Sequence, residues 1–314
     1  MKIIKSGELK DDFFKYKEFS GVEAVPEIIS EIKKNGDSSL KEYSKKFGDG
    51  DLEELAVTEK EIDIALKSLD SDTIDNINTA INNVKLFAEA QFSILKDIEI
   101  EFEGIKLGHK VIPLQRIGAY VPGGNYPLPS SAIMSCIPAK VAGVKEVIVC
   151  SPRIKPVTIA ACRLAGVDRI FRVGGIQSIA AMAYGTESIP KVDKIVGPGN
   201  KYVTAAKKEV YGICGIDFLA GPSEVMIIAD ESANSAFIAA DLLAQAEHDI
   251  EAECCLITTS EKLAYQVLHK AYEYITNLNT AEIAKNSLQK GIVILADSLD
   301  DAVNIANKKA PEHL

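Results

Sequence analysis

The first hundred residues carry apolar side chains at helical spacing. A period of about 3.6 residues predicts amphipathic helices over 20–97, each with one face in a core. A glycine and an aspartate at 36 and 37 separate two of them, because glycine ends helices and aspartate caps them. The apolar positions include Val22, Val25, Ile29, Ile32, Ile74, Ile77, Ile81, Val84 and Ala88.

The pattern changes after residue 97. Residues 98–121 are rich in β-branched side chains around Gly104, which predicts short strands and a hairpin. From about residue 140 short apolar runs alternate with helical stretches, which is typical of a mainly parallel sheet covered on both faces. We predict strands at 147–150, 169–173, 194–196, 224–229, 254–258 and 292–295. The fold class is therefore α/β.

Charge and composition exclude several classes of function. The net charge is −10, which argues against binding to nucleic acid or to an anionic membrane surface. No apolar run approaches the roughly 18 residues that a membrane span needs, and the N-terminus lacks the apolar core of a signal peptide. The six cysteines form no CxxC motif, so we expect buried free thiols and a cytoplasmic protein.

Glycines collect where predicted strands end and helices begin. Four such segments are 118–132, 172–181, 196–203 and 219–225. Ligands of open α/β folds bind at this edge of the sheet, where glycine lets the backbone approach them closely. Neither a GxGxxG fingerprint nor a P-loop occurs, so the spacing alone does not identify a dinucleotide.

Two short motifs offer further chemistry. Gln245 and His248 lie three residues apart near the end of a predicted helix, so they share a face that could hold zinc. Glu312 and His313 are adjacent proton carriers of different intrinsic pKa, which suits a reaction with more than one proton transfer. Taken alone, each motif also fits a solvated helix end or a frayed terminus.

Taken in order, the motifs resemble the histidinol dehydrogenase family. They are GDSSLKEYSKKF, IGAYVPGGNYPLPSS, VGGIQSIAAMAYGTESIP, VDKIVGPGNKYV, GIDFLAGPSEV, ADLLAQAEHD and APEHL. The resemblance implies a homodimer built from two incomplete Rossmann-like domains, one inserted in the other. It places an N-terminal helical arm at 1–20, a first domain at 21–119 and 224–314, and the inserted domain at 120–223.

The resemblance also assigns roles to residues. It implies NAD contacts for Tyr120, Gln177 and Asn200. It implies substrate contacts for Ser223, Gln245, His248 and His313, with Gln245 and His248 also binding zinc. Glu312 and His313 correspond to the catalytic pair. The implied reaction oxidises L-histidinol to L-histidine through the aldehyde, reducing two molecules of NAD.

Family members continue for roughly another quarter of their length. That part holds an Asp and a His of the zinc site and a further catalytic His. Because Gln245 and His248 alone form a weak metal site, we expect this chain to be zinc-poor and inactive as it stands. Two alternatives stay open: a zinc-dependent hydrolase, and a non-catalytic fragment or paralogue that acts as a binding module.

Overall fold

The computed structural model describes residues 1–15, 20–123, 126–219 and 223–314. Its strands are β1 (Lys2–Lys5), β2 (Ile98–Phe102), β3 (Ile105–His109), β4 (Arg116–Tyr120), β5 (Glu146–Cys150), β6 (Arg169–Phe171), β7 (Lys194–Val196), β8 (Gly215–Ile216), β9 (Glu224–Ala229), β10 (Glu253–Thr258) and β11 (Ile292–Leu295). Its helices are α1 (Val25–Asn35), α2 (Asp37–Lys46), α3 (Glu59–Lys67), α4 (Ser71–Phe92), α5 (Pro129–Val141), α6 (Pro156–Leu164), α7 (Gly175–Tyr184), α8 (Lys201–Val210), α9 (Ser235–Ala246), α10 (Glu261–Ile275), α11 (Ala281–Lys290) and α12 (Leu299–Lys309).

These elements form two compact units. The first unit combines Met1–Glu18 with Ala220–Leu314, and the second unit is Phe19–Leu219. The mainly parallel α/β class predicted from the sequence is confirmed. No helix in the described ranges has the length and apolar character that a membrane crossing requires.

The second unit is built on a parallel sheet of order β6-β5-β4-β7-β8. The chain adds β5 and β6 on one side of β4, then crosses back to add β7 and β8 on the other side. The central strands β4 and β5 are buried on both faces, which explains their unbroken apolar runs in the sequence. One face packs against α1, α2, α7 and α8, and the other against α3, α4, α5 and α6.

The first unit holds a parallel sheet of order β1-β11-β10-β9. Helices α9, α10 and α11 cover one face around Leu242 and Leu256, which are completely buried. Helix α12 and the N-terminal 3-10 turns, which carry Phe13 and Phe14, cover the other. Residues 2–5 thus pair with β11 as an edge strand, where the sequence predicts a helical arm. A run as short as Lys-Ile-Ile-Lys carries too little periodicity to reveal this.

The compact units differ from the division predicted from the sequence. That prediction groups 21–119 with 224–314, whereas the structure places the helices of 25–92 on the sheet of the second unit. Helices α1 and α2 pack against α7, and α4 packs against α5. Strand β4, which the predicted boundary at 119–120 would cut, pairs with β5 and β7 along its length. Apolar periodicity predicts a buried helix face but does not identify the sheet that covers it.

The side chain of Glu61 ties α3 to the end of β6. Its carboxylate accepts a hydrogen bond of 2.7 Å from Arg172 Nη2 and one of 2.8 Å from the backbone N–H of Thr58. The Arg172 hydrogen bond is the largest of the effects that lower the pKa of Glu61 from 4.5 to about 2. The ionised form is therefore the one that stabilises the fold.

We expect Glu61→Gln to lower the free energy of unfolding by about 1 kcal/mol or less near neutral pH, because the carboxylate is partly exposed. The native pKa is depressed, so this stabilisation is present above pH 4.5 and is lost as the pH falls toward about 2. Urea denaturation of wild type and variant, at about pH 7 and about pH 3, measures both values. Glu59→Gln, a more exposed change on the same helix, is the control. A difference that does not shrink in acid would contradict this assignment.

Candidate functional site

An open cleft of about 550 Å³ lies beside β9 in the first unit. Gln245 in the last turn of α9, His248 just beyond it, and His313 all line this cleft. Strand β9 contributes Val225 to Ile228 to its wall. Because β9 is an edge strand of its sheet, one side of it is left to form this wall. Three of the residues singled out from the sequence thus face one cavity.

Glu312 and His313 are held against the start of β9. The backbone carbonyl of His313 accepts a hydrogen bond of 2.9 Å from Met226 N, which makes a parallel bridge to the strand. The ring Nδ1 lies 3.0 Å from the carbonyl oxygen of Glu224. The Glu312 carboxylate accepts a hydrogen bond of 3.4 Å from Glu224 N and lies 3.7 Å from His313 Nδ1. The pair is therefore anchored to the sheet.

The Glu224 contact fixes which nitrogen of His313 carries a proton. A carbonyl oxygen can only accept a hydrogen bond, so Nδ1 is the donor. In the neutral ring Nε2 then holds the free electron pair and can accept a proton. His313 is 58% exposed in its side chain, so a molecule in the cleft can reach this nitrogen.

Two predicted residues of this unit, Glu312 and Ser223, are not among those that line the cleft. Ser223 directly precedes β9, and its carbonyl oxygen accepts a hydrogen bond from Glu253 N. The glycine segment before it, at 220–222, lies outside the described residues. Within the described ranges no group of three or more His, Cys, Asp and Glu side chains is placed to hold a metal ion.

The second unit presents its glycine loops at the carboxyl edge of the sheet. The order of strands reverses between β4 and β7, and in open α/β sheets the loops after two such strands diverge to form the ligand crevice. Two observations show how closely the backbone packs there. A Cβ on Gly174 would lie 2.4 Å from the Pro152 side chain, and one on Gly123 would lie 2.4 Å from the Pro152 carbonyl oxygen. Residues 124 and 125 of the first glycine segment lie outside the described residues.

Tyr120 and Gln177 meet at the Gly174–Gly175 turn. Tyr120 ends β4 and is buried, and its hydroxyl accepts a hydrogen bond of 3.5 Å from Gly175 N. Desolvation raises the pKa of Tyr120 to about 12, so this hydroxyl stays protonated. Gln177 lies in the first turn of α7 and is 1% exposed. Its Oε1 has no hydrogen-bond partner among the described residues, and a missing hydrogen bond is costly for a buried amide.

Asp49 joins this cluster from the loop after α2, although the sequence did not single it out. Its Oδ2 accepts a hydrogen bond of 3.0 Å from Gly174 N and one of 3.4 Å from Gln177 Nε2. Burial is the main effect that raises the pKa of its carboxyl above the usual value. A loop rich in Asp and Gly looks like an ordinary turn, and only the fold brings it to the sheet edge.

The Gly197–Asn200 turn lies on the other side of the crevice, after β7. Asn200 is the N-cap of α8, where its Oδ1 accepts hydrogen bonds from Tyr202 N and Val203 N at 3.1 and 3.2 Å. Gly197 has a φ of +110°, and a Cβ there would lie 2.1 Å from the Tyr120 carbonyl oxygen. The turn is thus pressed against the strand that carries Tyr120.

All six cysteines are free and buried, as the sequence predicts. Burial raises the pKa of Cys136 and Cys255 to about 12 and that of Cys214 and Cys254 to about 11. Since the thiolate is the reactive form, these side chains pack as small apolar groups.

Comparison with known proteins relates the whole arrangement to one family. The family model of histidinol dehydrogenase matches residues 15–314. The histidinol dehydrogenase of Methanocaldococcus jannaschii is 47% identical over 295 residues, which is 92% of this chain and 68% of that protein. The Aquifex aeolicus enzyme is 44% identical over 317 residues, which is 99% of this chain and 72% of that protein.

Solved structures give the same relation. A crystal structure of histidinol dehydrogenase from Elizabethkingia anophelis superposes with a TM-score of 0.89 at 37% identity. The superposition covers 96% of this chain and 72% of that one. Sequence and fold therefore agree over nearly the whole chain.

The tight packing of Gly197 yields a stability prediction. Gly212 has a similar φ of +97°, but a Cβ there would meet nothing within 4 Å. Gly212→Ala should therefore show backbone strain alone, on the order of 1 kcal/mol. We expect Gly197→Ala to cost more, because it adds a collision with the Tyr120 carbonyl. Urea denaturation of the two variants checks this order, and equal losses would mean that the turn can move away from β4.

Proposed function

Because the chain belongs to the histidinol dehydrogenase family, we propose that its residues serve the oxidation of L-histidinol to L-histidine in histidine biosynthesis, with NAD as electron acceptor and zinc as the bound metal, and that the weak zinc site of Gln245 and His248 alone leaves this chain inactive as it stands. The alcohol becomes the carboxylate in two steps, which consume one water and transfer two hydrides to two molecules of NAD. The observation that supports this proposal most directly is the cleft that gathers Gln245, His248 and His313. A cytoplasmic location accords with a soluble substrate and with the free thiols.

His313 is the base of the first step in this proposal. Its Nδ1 is bound to the Glu224 carbonyl, so Nε2 is the nitrogen that takes the alcohol proton as the hydride leaves. The backbone bridge to β9 holds the ring at one end of the cleft and limits its reorientation. A base fixed in this way loses little freedom when the substrate binds.

Glu312 acts in the second step. Its carboxylate lies beside His313 and accepts a hydrogen bond from Glu224 N, so it is held ready to take a proton from water. The activated water attacks the aldehyde carbon, and the resulting hydrate releases the second hydride. Keeping both proton carriers on one short segment lets the aldehyde remain in place between the steps.

Gln245 and His248 are the residues that would hold zinc in this chain. Both line the cleft, and the exposed ring of His248 offers a nitrogen ligand while Gln245 offers an amide oxygen. When bound, zinc supplies a Lewis acid that orients the substrate and carries no electrons. Two protein ligands form only part of a typical zinc site, so the donor set predicts weak binding by these residues alone.

We assign NAD to this crevice of the second unit. Gln177 Oε1 is a buried acceptor without a partner among the described residues, and a cofactor bound here would supply the missing donor. We assign Tyr120 and Gln177 to one side of the cofactor and Asn200 to the other. The zinc-hydrolase alternative would leave these loops without a ligand.

A zinc titration tests the assignment of His248. Wild type should bind zinc weakly, and His248→Ala should weaken it by a further tenfold or so, because a nitrogen ligand is lost. His269→Ala, an imidazole on the outer face of α10, is the matched control and should behave as wild type. Calorimetry at fixed pH gives the three affinities. Equal zinc affinity in the His248 variant and in wild type would contradict the assignment of zinc to this cleft.

We also propose that the protein forms a homodimer through its β2–β3 hairpin. The register places Ile98, Ile100, Phe102, Ile105 and Leu107 on one face of this hairpin, and each is more than half exposed. An isolated two-stranded hairpin is only marginally stable in water, so a cover for its apolar face is expected. A second copy is the simplest cover, because an apolar face is complementary to itself across a two-fold axis.

The exposed area is sufficient for such an interface. Ile94, Leu95 and Ile112 flank the hairpin, and hydrogen bonds from its base to the 96–97 segment hold the flanks together. With about 200 Å² for each fully exposed large side chain, these residues and the hairpin face present roughly 1,000 Å². A standard interface buries about 800 Å² on each partner.

Ile100→Glu should convert a dimer to a monomer, because it places a charge in the centre of the apolar face. Glu101→Lys changes the next residue, on the opposite face of the same strand, and should leave the dimer intact. Sedimentation velocity gives the masses, and circular dichroism checks that each variant is folded. A monomeric wild type at micromolar concentration, or a dimeric Ile100 variant, would refute this interface.

A further inference from the structure

Helix α8 contains a lysine that is buried although its neighbour in sequence is exposed. Lys207 is 3% exposed and lies on the inner face of α8 with Val203, Ala206 and Val210, whereas Lys208 faces solvent. A buried ammonium needs a compensating charge, since desolvating it alone costs several kcal/mol. The partner is Asp217, which follows β8 and forms an ion pair with Lys207 Nζ.

This ion pair binds both polar groups of one residue. Lys207 Nζ donates a hydrogen bond of 3.1 Å to the Gly197 carbonyl oxygen, and Asp217 Oδ2 accepts one of 2.7 Å from Gly197 N. Asp217 Oδ1 accepts a further bond of 2.7 Å from Phe218 N, which orients the carboxylate. Gly197 is therefore held from two directions by opposite charges.

The held residue is the first of the Gly197–Asn200 turn. A Cβ at Gly197 would collide with the Tyr120 carbonyl, so the residue that the ion pair holds lies directly against β4. Asn200 ends the turn as the cap of α8, and Lys207 lies about two helical turns further along the same helix. A side chain of α8 thus helps to hold the turn that precedes the helix.

We propose that Lys207 and Asp217 are positioning residues, which hold the Gly197–Asn200 turn in the conformation that receives the dinucleotide. The inference rests on the proposed NAD site at Tyr120, Gln177 and Asn200. The charge of Lys207 is neutralised by Asp217, so the pair acts through the shape of the turn and not as a counter-charge to phosphate. A turn fixed before binding loses less conformational freedom when the ligand arrives.

The variant Lys207→Met with Asp217→Asn tests this role. It removes the two charges together, so neither is left buried and unpaired, and the fold should persist. We expect NAD affinity to fall by roughly tenfold, because a small displacement of a positioned group has large effects. Calorimetric titration of the whole chain with NAD measures the affinity, and circular dichroism with thermal unfolding reports on the fold.

Three further proteins make the result unambiguous. Lys208→Met, on the exposed side of α8, should bind NAD as wild type does. Lys207→Met alone leaves no buried ammonium without a partner, and Asp217 keeps its hydrogen bonds from Gly197 N and Phe218 N. It should show a loss of about threefold, and it serves if the double variant is unstable. Asn200→Ala reports on the NAD site itself and should weaken binding. The circular dichroism spectrum and the thermal unfolding of all of them should match wild type, which a general loss of structure would not allow.

The outcomes test the cofactor site and the positioning role of the ion pair separately. If Asn200→Ala weakens NAD binding and the folded Lys207/Asp217 variants bind as wild type, the positioning role is refuted and the cofactor site stands. If Asn200→Ala leaves NAD affinity unchanged, the cofactor site is misassigned and the positioning role falls with it. Weaker NAD binding in Asn200→Ala and the Lys207/Asp217 variants, with wild-type circular dichroism and thermal unfolding, supports both.

Discussion

In a parallel sheet the chain must return to the edge where strands begin before it forms the next strand. This constraint determines how both units are arranged. Every strand of the two larger sheets ends at one edge, so the loops that follow collect there. In the second unit the reversal of strand order between β4 and β7 opens those loops into a crevice. In the first unit the edge position of β9 leaves a wall for the cleft. The glycine turns of the second unit lie where this constraint directs the chain, whereas Glu312 and His313 of the first unit are held at the start of β9, the opposite end of a strand.

Much of the fold could be predicted because each element has a strong local pattern. The stripe from Ile74 to Ala88 predicts α4, and the glycine at 36 separates α1 from α2 as expected. Strands β7, β9 and β11 agree with their apolar runs to the residue. These elements follow from periodicity because one face of each is buried whatever its neighbour. Which sheet supplies that neighbour is a long-range property, and the grouping of 25–92 with the second unit follows from it.

The residues of the candidate site also divide into those that the sequence predicts and those that only the fold reveals. Residues in recognisable motifs, such as Gln245, His248 and His313, could be predicted from the sequence as a set, and the structure brings them to one cleft. Asp49 and Asp217 could not, since each is an ordinary polar residue near a turn. Lys207 could not be identified from the sequence either, because the local pattern around a Lys-Lys pair does not indicate which of the two ammonium groups is buried. Their roles depend on hydrogen bonds to backbone groups far away in the chain.

The pairing of β1 with β11 has a consequence for the order of assembly. Residues 2–5 are synthesised long before their partner strand, Ile292–Leu295. The second unit, which lies between them in sequence, can fold while the rest is still being synthesised. The N-terminal strand must remain unpaired throughout that interval, and closing so long a loop is slow. Completion of the first unit is then a late event in biogenesis, during which an apolar edge is open to chaperones or to other nascent chains.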